Sequence, residues 1–544
     1  TLTVNGDLNN VTGSGYATQT ASSSGANTGA KVDGTTDIGI ALTQQNTSTA
    51  ATVPDGTDMG ITIDHGMSGS TAKIAGNSQS ATGVLNSGVT ALDTSVNSTS
   101  GSSAIGVAQS SLDGSLTASV SSLDKFSTGS GPSTTALTGS TVALSNNSQA
   151  ATAVANSGSN SQAISGNDVT LAGQSDGQAV AGQSYDAGGG PDPEVPNTSA
   201  IAGYAIASKQ ELAVTTTGVK TVTASVDDAA GTAGYLASVT GNVTGSTLSN
   251  DSNSAKALAR GNEVSNATTI DANSIATGSL ATPSSGTVAA IASQQDVTVA
   301  TGTQTIVAQV GGAGSDGPIV SNSITGDVTG SSAITASNNS VLADAAANRG
   351  GNAITASATT INTLGTEVPS ASINGVVSTA NAAFAVANEQ SVASGTSVQA
   401  GLVDSFGTPT KSTSVSTAIS GSLTSSSVTS DGNSLAANAA GNATLGTGNA
   451  ITLSGTNLGT SAAIASDQTM NGTATALIGD ATAKSGGVLV TVGNDIANSS
   501  VTVDGNSTSG SAKGNSATNA LAASATNLTR GNGVSNSSQA SANS

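Results

Sequence analysis

Apolar and polar residues alternate along much of this chain with a period of two, as in "TLTVNGDL" at the start, "LAVTTTGVKTVTASV" from Leu212 and "GVLVTVGNDI" from Gly487. Alternation rich in Val and Thr predicts strands with one face inward, and helical periodicity is weak throughout. The alternating segments are short and recur in a fixed order, so the pattern predicts an all-β repeat protein.

Two landmarks define the repeat. The first opens with Asn-Ser and closes with Asn nine residues later, in "NSQSATGVLN", "NSQAATAVAN", "NSAKALARGN", "NSVLADAAAN", "NSLAANAAGN" and "NSTSGSAKGN". The paired asparagines are Asn77 and Asn86, Asn147 and Asn156, Asn253 and Asn262, Asn339 and Asn348, Asn433 and Asn442, and Asn506 and Asn515. The fifth and seventh positions are Ala or Gly in every copy. The second landmark reads small, β-branched, small, any, any, Gln, and ends at Gln44, Gln109, Gln210, Gln295, Gln390 and Gln468. Each Gln precedes one Asn-Ser by 33, 38, 43, 44, 43 and 38 residues, and successive Gln landmarks lie 65, 101, 85, 95 and 78 residues apart. Between the landmarks run further alternating segments, such as "VTGNVTGSTLSNDSNS" from Val239.

A β-solenoid, or β-helix, accounts for these features. Stacked coils lie about 4.8 Å apart, a narrow interior favours Ala, Gly, Val and Ile, and Asn or Gln recurring at one place can bond its own copy in the next coil. The expected architecture is therefore an elongated rod of degenerate repeats of about 65–101 residues. The repeats run over 1–36 (partial), 37–103, 104–203 with a loop insertion at 186–197, 204–288, 289–382, 383–461, 462–532 and the start of another at 533–544, all in one continuous solenoid. The eighteen Asn and Gln landmarks are expected to form ladders or turns. With about 20 residues per coil, the chain would make roughly 25 to 30 coils and a rod of order 130 Å. A string of small β-sandwiches is the competing fold, and the shortage of aromatics weighs against it.

Composition sharpens this picture. Only seven aromatics occur among 544 residues (Tyr16, Phe126, Tyr185, Tyr204, Tyr235, Phe384 and Phe406), so a thick core is not expected. Lys plus Arg number 12 against 32 Asp plus Glu, which argues against nucleic acid and anionic membranes as partners. No cysteine is present, and no apolar run approaches a membrane-spanning helix. This Cys-free, acidic, Thr/Ser/Asn-rich profile fits an extracellular or cell-surface location.

Candidate chemistry is sparse. His65 is the sole histidine, and although Asp64 adjoins it, no nucleophile motif accompanies the pair. "GGAGSD", Gly311 to Asp316, matches one unit of a calcium-binding nonapeptide but lacks tandem copies. Calcium, there or at the acidic loops with Asp55, Asp58, Asp227 and Asp228, is the one cofactor the sequence leaves room for, and none is expected. Sequons at Asn10, Asn97 and Asn242 follow from composition. No recurring carboxylate pair suits acid/base catalysis, so an enzyme is not expected.

The stretches "NSLAANAAGNATLGTGNAITLSG" and "NSTSGSAKGNSATNALAASATNL" resemble the repetitive β-rich adhesins of Gram-negative bacteria, including holdfast-attachment proteins and, more distantly, trimeric autotransporter heads. The resemblance implies surface attachment or matrix formation. Together with strand-like segments that begin and stop in mid-repeat, it leads to the expectation of an extracellular filament or matrix subunit joined head to tail through open strand edges. The alternative is an adhesin that binds glycans or surfaces through loops such as 186–197.

Overall fold

The computed structural model describes residues 2–14, 29–32, 37–47, 50–56, 58–128, 135–171, 177–183, 198–226, 234–281, 286–311, 319–363, 370–373, 378–403, 406, 414–479, 486–529 and 539–542. Every element of regular structure among them is a strand. The strands form a β-solenoid: six sheets contain only parallel pairs, each strand bonded to its own counterpart in the coils before and after.

One complete repeat makes one coil. The coil that opens at Tyr204–Val214 continues through Val219–Val226, Gly234–Val239, Asn242–Thr244 and Thr247–Asp251, then closes with the 24-residue strand Ser254–Thr277. Chain and register agree, because Gln210 pairs with Gln109 in the coil before and with Gln295 in the coil after. The expected coil of about 20 residues is therefore corrected. The Gln landmark, the alternating segment and the Asn-Ser landmark are different walls of one coil, whereas the sequence reading had spread them over successive coils. Six stacked strands rise only about 24 Å along the axis, far short of 130 Å, while the 24 residues of one long strand have a contour of about 80 Å.

Three sheets carry most of the architecture. The long-strand sheet stacks Leu2–Ser14, Ser78–Ser95, Ser148–Leu171, Ser254–Thr277, Ser340–Asn362 and Ser434–Gly459, then the two strands Ser507–Asn515 and Asn519–Thr529 end to end on one level. The glutamine sheet stacks Ile38–Thr47, Ser103–Leu112, Tyr204–Val214, Ala289–Val299, Phe384–Val392 and Ala462–Met470. An outer sheet, the only antiparallel one among the described residues, runs Gly29–Val32, Gly177–Gln183, Thr198–Ala202, Ala371–Ile373, Ser378–Asn381, Gln539–Ala542. Four narrower wall sheets complete the coil.

The interior is divided accordingly. The first half of each long strand, with Ala151 and Ala153 or Ala257 and Ala259 inward, packs against Val, Leu and Ile of the wall sheets. The second half, with Ile164, Ile270 and Ile354, faces Ile105, Ile206, Ile291 and Val386 of the glutamine sheet. The opposite face of the glutamine sheet is nearly pure alanine (Ala205, Ala207, Ala290, Ala292, Ala385) and packs on the alanines of the outer sheet. Side chains this short let two sheets approach closely, which is why so few aromatics suffice to fill the core.

Each coil turns a tight corner just before its Asn-Ser. The residue at that corner has a left-handed backbone in every coil: Gly76, Asn146, Ser252, Asn338, Gly432 and Gly505, with φ between 55 and 70. Gly, Asn and Ser there are the residues that tolerate this conformation best or bond locally to offset it. The left-handed position thus falls one residue ahead of the landmark asparagine.

Candidate functional site

In-register stacking sets identical residues about 4.8 Å apart, which a carboxamide can span by donating to its own copy. The second landmark asparagines do this through the whole stack. Nδ2 of Asn86 donates to Oδ1 of Asn156, and the series continues through Asn262, Asn348, Asn442 and Asn515 at 2.7–2.9 Å. The glutamines form a second ladder, in which Nε2 of Gln109 donates to Oε1 of Gln44 and so on through Gln210, Gln295, Gln390 and Gln468 at 2.5–2.8 Å.

The two ladders are reciprocally cross-linked. The remaining N–H of each Asn from Asn86 to Asn442 reaches the backbone carbonyl just after the neighbouring glutamine, as Asn156 to Glu211, Asn262 to Asp296 and Asn348 to Ser391, whereas Asn515 reaches the carbonyl of Gln468 itself. The remaining N–H of each Gln reaches the carbonyl just after the neighbouring asparagine: Gln109 to Ser157, Gln210 to Glu263, Gln295 to Arg349. A polar septum thus pins the long-strand sheet to the glutamine sheet between the two apolar compartments, with Asn156, Asn262 and Asn348 fully buried. Glycine makes room for it: a Cβ on Gly350 would lie 2.8 Å from Oε1 of Gln295.

The ladders point in opposite directions. Asparagine donors face the later coil, and glutamine donors face the earlier one. The first landmark asparagines also donate forward, the backbone N–H of Asn77, Asn147, Asn253, Asn339 and Asn433 each reaching Oδ1 of its copy one coil later at 2.9–3.1 Å.

Two further ladders escaped the sequence reading. One runs from Thr90 through Asn160, Asn266, Asn352 and Asn449 to Asn519. Its signal was an Asn four residues after the landmark in "NSGSN", "NEVSN" and "NRGGN", obscured in the fifth coil where the equivalent Asn449 comes seven residues after Asn442. The other joins Ser70, Ser140, Ser246, Ser332, Ser426 and Ser499, each backbone N–H donating to the next hydroxyl. Serine is so common in the chain that this spacing carried no contrast.

Elsewhere the candidate residues are scattered. His65 is exposed in a turn, and its backbone carbonyl accepts a hydrogen bond from Thr128. Asp58 is exposed and accepts from the Leu123 N–H, whereas Asp55 is buried. Asp227, Asp228, the loop 186–197 and all of "GGAGSD" after its first glycine lie outside the described residues. Among the described residues no group of three or more His, Asp or Glu side chains is placed to hold a metal ion, and no helix is long and apolar enough to cross a membrane.

Several carboxyls have shifted protonation: burial, the largest cause, raises Asp251, Asp296 and Asp467, and three further groups stand out. Burial, with a contribution from the Asp58 charge, pushes Asp124 up to about 7. Burial and then the charges of Asp296 and Asp467 push Glu389 up to about 7. Asp113 is shifted the other way: burial acts to raise it, but hydrogen bonds from the hydroxyls and N–H groups of Thr215 and Thr216 outweigh this and hold it at about 2.

No family model, curated protein or solved structure matches the chain. What the arrangement provides is cohesion between coils, and its residues carry no group suited to transferring protons or electrons.

Two outcomes are expected. Asn262→Ala orphans a buried donor on Asn156 and a buried acceptor on Asn348, each costing about 1–3 kcal/mol, and should lower the urea midpoint clearly. Asn515→Ala, in the exposed last coil, should change it far less, by about 1 kcal/mol or under. The pH dependence is illustrated by Asp124 and Glu389, two of the five raised carboxyls among the described residues. Their stabilising contribution is complete below their ordinary values of 3.8 and 4.5 and is lost as pH rises through about 7. Thermal unfolding should therefore show stability increasing from pH 8 to pH 5, and Asp124→Asn with Glu389→Gln should flatten that rise.

Proposed function

We propose that the chain is a structural subunit of an extracellular filament or matrix fibre, built by stacking coil on coil, head to tail. The observation that carries this reading is that each coil offers the next the same strand edges, apolar positions and directed amide ladders that it receives from the coil before. Leu528 is 68% exposed, while Leu458, its partner one coil earlier, is 0% exposed; Leu521 and its partner Ile451 stand at 58% and 1%. Val501 and Val503 are similarly uncovered. Strand edges and an apolar face of this kind favour addition of another strand layer.

The hydrogen-bonding groups of the first and last coils are complementary. At the last coil Asn506 and Asn519 direct donors outward, and the Gln468 carbonyl oxygen points the same way along its ladder. At the first coil Asn77 and Thr90 stand at the accepting ends of their ladders, and Gln44 at the donating end of its own. Head-to-tail stacking continues every ladder, whereas head-to-head stacking sets donor against donor. The Cys-free, acidic composition and the adhesin-like repeats support an extracellular location for such a fibre.

Electron microscopy and fibre diffraction test this reading. Fibres should appear above a threshold concentration with a meridional spacing of about 4.8 Å. Leu521→Glu with Leu528→Glu, which places charge on the last coil in line with the core positions Ile451 and Leu458, should raise that threshold by about ten-fold or more. Monodisperse particles at every concentration would contradict the proposal.

A further inference from the structure

The outer sheet is fastened to the coil chiefly by methyl groups, with alanines such as Ala179, Ala200 and Ala380 packed on Ala205, Ala290 and Ala385 of the glutamine sheet. Methyl groups remove little apolar area from water, so the polar positions along this interface weigh heavily in how firmly it holds. Those positions form one column of the glutamine sheet, in which Thr43, Ala108, Lys209, Gln294, Glu389 and Asp467 stand in register.

One row of the outer sheet covers this column. In register it runs Ala30, Ala181, Thr198, Ile373, Ser378. Two hydrogen bonds tie row to column: the Ala30 N–H donates to Oγ1 of Thr43 at 3.0 Å, and the Thr198 hydroxyl donates to Oε1 of Gln294 at 2.6 Å. Ser378 continues the row over Glu389 and Asp467, because its strand, Ser378–Asn381, packs on both Phe384–Val392 and Ala462–Met470. Here the tie is missing. Ser378 is 0% exposed, and its hydroxyl finds no hydrogen-bond partner among the described residues.

What lies under Ser378 is a pair of like groups. Glu389 and Asp467 oppose each other in adjacent coils, and Glu211 and Asp296 stack in the next column facing the same way. Lys209 is the one cation of these columns, and it sits two coils from Glu389. Among the described residues of the outer strands only Lys31 is charged, in Gly29–Val32, which packs at the Ile38–Thr47 end of the stack. Behind the glutamine sheet, Ser434–Gly459 carries no charge, Asp344 and Arg349 of Ser340–Asn362 are engaged with Arg260 and Glu263, and Lys513 is exposed. Burial above all, then the charges of Asp296 and Asp467, push Glu389 up to about 7 against the opposing pull of Lys209, and burial raises Asp467 as well.

We propose that Ser378–Asn381 is a proton-operated latch, closed on the alanine face of the glutamine sheet while Glu389 and Asp467 are protonated and lifted from it when both ionise. Ionisation sets two like charges one strand spacing apart, about 4.8 Å, beneath a strand that supplies no cation, and lifting that strand returns them to water. Both carboxyls are raised above their ordinary values of 4.5 and 3.8, so their support for closure is complete below those values and is lost as pH rises through about 7. A short strand held by methyl contacts opens at far lower cost than a coil unfolds, so the latch responds while the solenoid stays intact.

Backbone hydrogen exchange, corrected for the intrinsic effect of pH, tests the latch. Protection of the Ser378–Asn381 amides should fall by about ten-fold or more between pH 5 and pH 8, while the amides of Ser254–Thr277 keep theirs. Glu389→Gln with Asp467→Asn should hold the strand closed at pH 8, and glutamine already occupies this column at Gln294. Glu389→Gln alone should shrink the fall, which keeps the test open if the double variant does not fold. Asp124→Asn, in the wall strand Leu123–Thr128, should leave the fall unchanged. Equal protection of Ser378–Asn381 at both pH values, a fall shared with Ser254–Thr277, or a fall that survives neutralising Glu389 and Asp467 would overturn the proposal.

Discussion

The structure depends on one constraint: each stacked position of a coil must tolerate its own counterpart about 4.8 Å away. Apolar residues satisfy it by packing, and carboxamides satisfy it by donating to and accepting from a copy of themselves. Like charges do not satisfy it, because they repel when directly opposed. A chain with only 8% charged residues is the compositional result. Where charge does enter the stack it is matched by opposite charge, as Arg260 is by Asp344, or it meets like charge at a cost, as Glu389 does opposite Asp467, whose charge adds to burial in pushing the Glu389 carboxyl up to about 7.

The amide ladders do more than tolerate this arrangement. Because each Asn spends its second N–H on a carbonyl beside the glutamine, and each Gln on a carbonyl beside the asparagine, shifting one sheet against the other breaks bonds in both ladders. The septum thereby sets register in a core whose small alanines and glycines would by themselves specify it weakly. The opposed polarity gives the stack a direction that a following coil must respect.

Much of this was legible in the sequence. The landmark Asn and Gln positions, the small residues between them and the β-solenoid class all follow from periodicity. Coil length did not follow, because landmark spacings of 33 to 44 residues are equally consistent with walls of one coil and with separate coils; only the pairing of Gln210 with Gln109 and Gln295 distinguishes them. The outer sheet was also hidden. Its strands are short runs such as "TSAIA" and "ASI" in some of the connections between coils, as at Gly177–Ala202 and Ala371–Asn381, so they share no spacing with the landmarks.

The central claim is that buried side-chain amides hold the coils together, and side-chain hydrogen exchange measured by NMR tests it most directly. The carboxamide protons of Asn156, Asn262, Asn348, Gln210 and Gln295 should be protected as strongly as the most stable backbone amides of the long strands, while those of Asn515 exchange faster. Exchange of the mid-stack carboxamides at the rate of exposed side chains would contradict the account.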